Sequence, residues 1–93
     1  MTEQEWTKTA ADAFVGKKIS KVEYLSKKEA EKMGWYKRPL VFIFEDNSWM
    51  FAMQDDEGND GGAFGTSSKK IPTIPVLSLD HDKIIERARV NGY

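Results

Sequence analysis

Apolar and polar positions along the chain are most sharply organised between Pro39 and Phe64, PLVFIFEDNSWMFAMQDDEGNDGGAF. Two apolar runs, Leu40 to Phe44 and Ser48 to Met53, are rich in aromatic and branched residues and flank Asp46-Asn47. That dipeptide tolerates the positive φ of a tight turn, so the pair is predicted to be an antiparallel hairpin. With Glu45 and Ser48 flanking the turn, Phe44 is expected opposite Trp49, Phe42 opposite Phe51 and Leu40 opposite Met53 on one face, with Val41, Ile43, Met50 and Ala52 on the other. A hairpin apolar on both sides has to be covered on both sides. Helices of the chain can cover one side; a curled-over strand or a second copy of the chain must cover the other.

The flanking segments follow helical and strand periods in turn. Thr2-Glu3-Gln4-Glu5 is a capping-box pattern, and Trp6, Ala10, Ala13 and Phe14 recur at helical spacing before Gly16. A helix is predicted over about residues 3–15, laying Trp6 and Phe14 on the sheet. Lys17 to Leu25 reads as a strand in which Ile19 is out of phase with Val22 and Tyr24, the mark of a bulge or a twisted edge. Ser26-Lys27-Lys28-Glu29 is a second capping box, opening a short helix that ends at Gly34 and offers only Ala30 and Met33 for burial. Ile71 to Leu77, IPTIPVL, is strand-like, but Pro72 and Pro75 lack amide hydrogens and confine it to a sheet edge. Asp80 can cap a last helix from His81 to about Val90, with Leu79 and Ile84 as a staple and a narrow stripe of Ile84, Ile85 and Ala88.

These elements predict an α+β fold: a curved or barrel-like antiparallel sheet of about four strands, the N-terminal helix on one face and short helices at the periphery. Ninety-three residues with 40% apolar and 31% charged positions describe one ordinary globular domain over residues 1–93. The absence of cysteine removes disulfides, thiol nucleophiles and thiolate metal sites, and fits a reducing compartment. No apolar run reaches the length of a membrane span, and the N-terminus lacks the pattern of a signal peptide, so a cytoplasmic protein with no membrane partner is expected.

Charge changes the picture more by its placement than by its sum of −1. Residues 1–38 carry a net +3, residues 39–66 a net −6 with no Lys or Arg at all, and residues 67–93 a net +2. The loop Asp55-Asp56-Glu57-Gly58-Asn59-Asp60-Gly61-Gly62 is the acidic pole. Asp55, Asp56, Glu57 and Asp60 on a glycine-rich turn are the oxygen donors that calcium or magnesium takes, but no EF-hand is spelled out: counted from Asp55, position 6 is Asp60 and position 12 is Thr66. A solvated turn in which Asp and Asn bond nearby amides is the preferred reading, and no cofactor is expected.

Other chemistry is sparse. His81 is the only histidine, so general-base schemes run through it, although a first-turn surface histidine is the plainer interpretation. Trp35 and Tyr36 stand beside Lys37 and Arg38 ahead of the hairpin, where they either bind something or close over the core edge. Lys17, Lys18, Lys21, Lys27, Lys28, Lys32, Lys37 and Arg38 with these aromatics give a weak nucleic-acid signal, diluted by Glu23, Glu29 and Glu31.

The run from Gly34 to Val41, followed by D-D-E-G-N-D-G-G-A-F at residues 55–64, resembles a family of small uncharacterised microbial and phage proteins that share this loop after a hairpin. The resemblance covers the middle third and implies a fold unit and a shared loop, without a mechanism. The expectation is therefore a small non-enzymatic binding or accessory protein, self-associating as a homo-oligomer, with the dimer favoured. Its binding surface would comprise Trp35, Tyr36, Asp55, Asp56, Glu57, Gly58 and Asn59, with an unidentified protein or small-molecule partner. A metal-dependent or carboxylate-based enzyme using residues 55–60 is the alternative, and nucleic-acid binding ranks third.

Overall fold

The computed structural model describes residues 2–80. The helix expected from His81 onward, with His81 itself and the stripe of Ile84, Ile85 and Ala88, lies outside the described residues. The chain runs α1 (Glu3–Phe14), β1 (Ile19–Tyr24), α2 (Lys27–Lys32), β2 (Lys37–Arg38), β3 (Leu40–Phe44), β4 (Trp49–Phe51), β5 (Phe64–Gly65), β6 (Thr73–Ile74) and β7 (Leu77–Ser78). The class is α+β. The strands form a three-stranded sheet in the order β1-β3-β4 and two small ribbons, β2-β7 and β5-β6, in place of the single four-stranded sheet expected, and they do not close into a barrel.

Both helices begin as their capping boxes predict. Thr2 Oγ1 accepts from the Glu5 amide at 3.2 Å, and Ser26 Oγ accepts from the Glu29 amide at 3.1 Å while donating to Glu29 Oε1 at 3.1 Å. α2 then ends at Gly34, whose φ of 74° is the left-handed conformation that stops a helix.

The hairpin forms where predicted, but one residue out of the expected register. Ile43 lies opposite Trp49, Phe42 opposite Met50 and Val41 opposite Phe51. The cause is the turn. Asn47 sits at φ 69°, its amide donates to the Phe44 carbonyl at 2.9 Å, and the Phe44 amide donates to the Ser48 carbonyl at 2.8 Å. The connection is therefore a three-residue loop, Glu45-Asp46-Asn47, with the left-handed residue last, and not a two-residue turn. Asp46 fixes it further by accepting from the amide and hydroxyl of Ser48, while Lys17 Nζ bridges to Asp46 Oδ2 at 3.0 Å. These bonds, the Ser48 hydroxyl foremost, hold the Asp46 carboxyl well below the usual aspartate range. Since strand side chains alternate, the shift moves Trp49 and Phe51 to the face of Val41 and Ile43 and leaves Phe42, Phe44 and Met50 on the other.

β1 adds to β3 antiparallel, with an extra residue between the pairs Ile19–Phe44 and Lys21–Ile43. This is the expected bulge, and it returns Ile19 to the face of Val22 and Phe44. On the Val41 face, Leu25, Ala30, Trp35 and Val41 are buried together, with Ile43, Phe51 and Leu79 packed against them. On the opposite face, Phe64 of β5 meets Phe42 edge-on at 5.2 Å between centroids, and its partner Ile74 is buried. A short helix thus covers part of one face and a folded-back ribbon part of the other. Pro72 and Pro75 flank β6, which pairs on one side only.

α1 does not lie on the sheet as expected. None of its residues is buried, Trp6 is 62% exposed, and its contact with the sheet is at its C-terminal end, where the Phe14 ring lies 5.9 Å from that of Phe44.

The left-handed Asn47 gives the first test of this register. Asn47→Gly should match or slightly exceed the parent in stability, whereas Asn47→Ala should lose about 1–2 kcal/mol for forcing a Cβ-bearing residue without a polar side chain into that conformation. Urea denaturation midpoints read the difference, and equal midpoints for the two variants would contradict the turn geometry.

Candidate functional site

Two surfaces are built from the hairpin: the acidic loop beyond it and a groove on the Val41 face.

The loop is a closed structure that spends most of its polarity on itself. Met53 pairs with Gly61 as an isolated bridge, the Gln54 amide donates to the Asp60 carbonyl at 2.9 Å, and the Gly62 amide donates to the Ala52 carbonyl at 2.9 Å. The chain therefore leaves and returns side by side. Within that frame Asp55 Oδ1 accepts from the amides of Glu57 and Asn59 at 3.1 and 3.2 Å, and Asp55 Oδ2 accepts from Asn59 Nδ2 at 2.8 Å. The bonds from Asn59, side chain first, lower the Asp55 pKa. Asp60 is buried; its Oδ1 accepts from the amide of Lys37 at 2.9 Å and of Gly61 at 2.8 Å.

Glycine is required where the loop touches the hairpin approach. A Cβ on Gly61 would lie 2.7 Å from Pro39 Cδ and 2.9 Å from the Lys37 carbonyl oxygen, and a Cβ on Gly62 would lie 2.7 Å from the Met53 carbonyl oxygen. Pro39 is fully buried at this junction. Trp35 closes it: the ring is 4% exposed, meets Phe51 edge-on at 5.5 Å, and donates from Nε1 to the Gly58 carbonyl at 2.7 Å.

The two stretches singled out in the sequence, Trp35-Tyr36 and residues 55–59, are thus brought together, with their roles divided. Trp35 is a core residue and an anchor, and Gly58 offers its carbonyl to that anchor. Asp55 and Asn59 hold the turn. Tyr36, Asp56 and Glu57 face solvent, Tyr36 with 77% exposure. As for a cation, Asp60 Oδ1 is committed to two backbone amides and Asp55 to three donors. No group of three or more His, Asp or Glu side chains among the described residues is disposed to hold a metal ion. The lysines expected to form a basic face are partly neutralised: Lys17 pairs with Asp46, Lys21 with Glu23 at 3.2 Å, and Lys27 with Asp80 at 3.3 Å.

The groove was not anticipated from the sequence. Among the described residues, α2 and Trp35 cover the Val41 end of that face and leave Trp49, opposite Ile43, exposed. The concavity between them holds roughly 450 Å³ and is lined by Val41, Ile43, Trp49, Phe51 and Met33, with Glu23 and Glu29 among its polar residues. Trp49 is 60% exposed and Met33 44%. Trp49 and Phe51, two residues apart on one strand, stack with rings 5.2 Å apart and 1° from parallel. Stacking fixes the indole plane and leaves its other flat face to solvent, a ready contact for an apolar or aromatic group. The signal that would have found this site is the register: only the three-residue loop ending in Asn47 turns Trp49 toward Val41 and Ile43.

Removing the Asp60 carboxylate should cost stability. Asp60→Ala leaves the amides of Lys37 and Gly61 without their acceptor and should destabilise by about 2–3 kcal/mol in urea denaturation. Asp55 gives a pH test. A carboxyl with a lowered folded pKa contributes stability that is complete above the ordinary aspartate value of 3.8 and is lost as pH falls through the lower folded value. The Asn59 side-chain amide resonances should therefore hold their positions through pH 3.8 and move only below it; movement centred above 3.8 would contradict the bonds described. Compared with protein-family models, curated proteins and solved structures, the chain matches none of them.

Proposed function

We propose that this chain is a small non-enzymatic binding protein whose ligand-contacting surface is the groove floored by Trp49, Phe51 and Ile43, and that its ligand presents an apolar or aromatic group. The observation that carries the reading is Trp49: a large aromatic side chain held flat by stacking and 60% exposed at the mouth of a concavity of roughly 450 Å³. That volume suits a small molecule or a few side chains of a peptide. Exposed aromatics in a preformed depression supply contact area at little entropic cost, because few rotors have to be frozen. Glu23 and Glu29 bias the choice toward ligands that carry a cation beside the apolar group.

The acidic loop supports this function from a distance. By anchoring Trp35 it fixes Phe51, on which Trp49 stacks, so the loop sets the floor of the groove. Tyr36, on the approach to the hairpin, and Asp56 and Glu57, on the loop, offer a second, more polar contact surface.

The test uses Nile red, a neutral apolar dye, as the probe. Binding should perturb the Trp49 indole resonance ahead of those of Trp6 and Trp35, and Trp49→Ser should weaken it by about tenfold or more with unchanged far-ultraviolet circular dichroism. Uniform perturbation of all three indoles, or full binding by the Ser variant, would overturn the proposal.

A further inference from the structure

β1 is an edge strand: among the described residues, β3 lies on one side of it and no strand on the other. It is six residues long and almost entirely exposed. Edges of this kind are templates for another strand unless they are short, bulged or charged against pairing. The bulge of β1 lies at its Ile19–Lys21 end, leaving Lys21 to Tyr24 regular. Its charge is not uniformly repulsive, since Lys21 and Glu23 flank Val22 on one face.

The orientation of the free backbone groups follows from the ladder. The Leu25 amide donates to the Pro39 carbonyl of the β3 side at 2.9 Å, so Glu23 and Lys21, two and four residues before it, also turn their amides toward β3. Val22 and Tyr24 turn theirs outward. In an antiparallel pair of two β1 strands related by a two-fold axis through Val22, Val22 meets Val22 of the second copy as a hydrogen-bonded pair. Lys21 of each copy then meets Glu23 of the other. Moving the axis to Lys21 sets lysine against lysine, and moving it to Glu23 sets glutamate against glutamate. Of these three registers, only the one centred on Val22 sets each lysine opposite a glutamate.

We infer that a second copy of this chain is the partner of the β1 edge, joined in that register to make a continuous six-stranded sheet with two reciprocal Lys21–Glu23 ion pairs. Each of these replaces the exposed bridge that the two residues form within one chain, at 3.2 Å. Val22, 47% exposed, gains a partner on the opposite face. The two copies' grooves fall on the same side of the joined sheet, with the paired Glu23 residues between them. The inference is independent of what the groove binds.

A charge exchange tests it by sedimentation equilibrium across a range of concentrations. The parent chain should form a dimer. Lys21→Glu and Glu23→Lys alone should each weaken it about tenfold or more, since each sets like charges opposite one another twice per dimer. The double exchange restores opposite charges and should restore the dimer. Val22→Cys, in a chain with no other cysteine, should form a symmetric disulfide under mild oxidation, because hydrogen-bonded antiparallel pairs hold their Cα atoms about 5.5 Å apart. Lys28→Cys on α2 should not. A parent chain that stays monomeric, a dimer indifferent to the single reversals, a double exchange that fails to restore it, or equal cross-linking at positions 22 and 28 would each overturn the inference.

Discussion

Two amide hydrogens, those of Lys37 and Gly61, converge on one oxygen of the buried Asp60 carboxylate, and the local architecture is arranged around that point. A carboxylate out of water is costly unless donors replace its hydration, and both donors here are backbone, from segments more than twenty residues apart. The contact joins the approach to the hairpin to the end of the loop that follows it. Pro39, fully buried, and Gly61, with no room for a Cβ, are the consequences of pressing those two backbones together. The Trp35 indole adds a second tie two residues along, at Gly58.

From that junction the rest of the packing is a matter of how far a small chain can spread its cover. The hairpin is apolar on both faces, and among the described residues a short helix with Trp35 covers part of one face and the β5-β6 ribbon part of the other. α2 with Trp35 and Val41 forms a cluster against which Phe51 and Ile43 pack, while Trp49 stays 60% exposed; β5 and β6 reach Phe42; Phe14 reaches Phe44. Among the described residues, an aromatic depression on one side and a strand edge beside it are left bare.

The sequence made the capping boxes, the β1 bulge, the need for cover on both hairpin faces and the self-bonded character of residues 55–59 legible, because each is decided within a few residues. Thr2 with Glu5, Ser26 with Glu29, and Asp55 with Asn59 all lie within four residues of one another. The hairpin register was not legible from Asp46-Asn47 alone, since that pair suits both a two-residue turn and the last two places of a three-residue loop. The choice between them rests on bonds to Ser48 and Lys17, the second from outside the hairpin. The single residue of difference exchanges the two faces of β4 relative to β3, which hid the groove. The double part played by Trp35 was equally hidden: an aromatic before a strand can point either way, and only the distant Gly58 carbonyl decides it. Pro72 and Pro75 correctly indicated an edge, though not that the strand-like run divides between β6 and β7.

The burial of Trp35 also makes the molecule its own optical gauge. Three indoles sit at two depths: Trp6, on a helix with no buried residue, and Trp49, at the mouth of the groove, are about equally exposed, whereas Trp35 lies in the core with 4% exposure. Emission from the first two reports solvent and whatever displaces it, while emission from the third stays shifted to shorter wavelength for as long as the loop remains seated. Loosening of that seat and filling of the groove are therefore separable by colour in one spectrum, without any label.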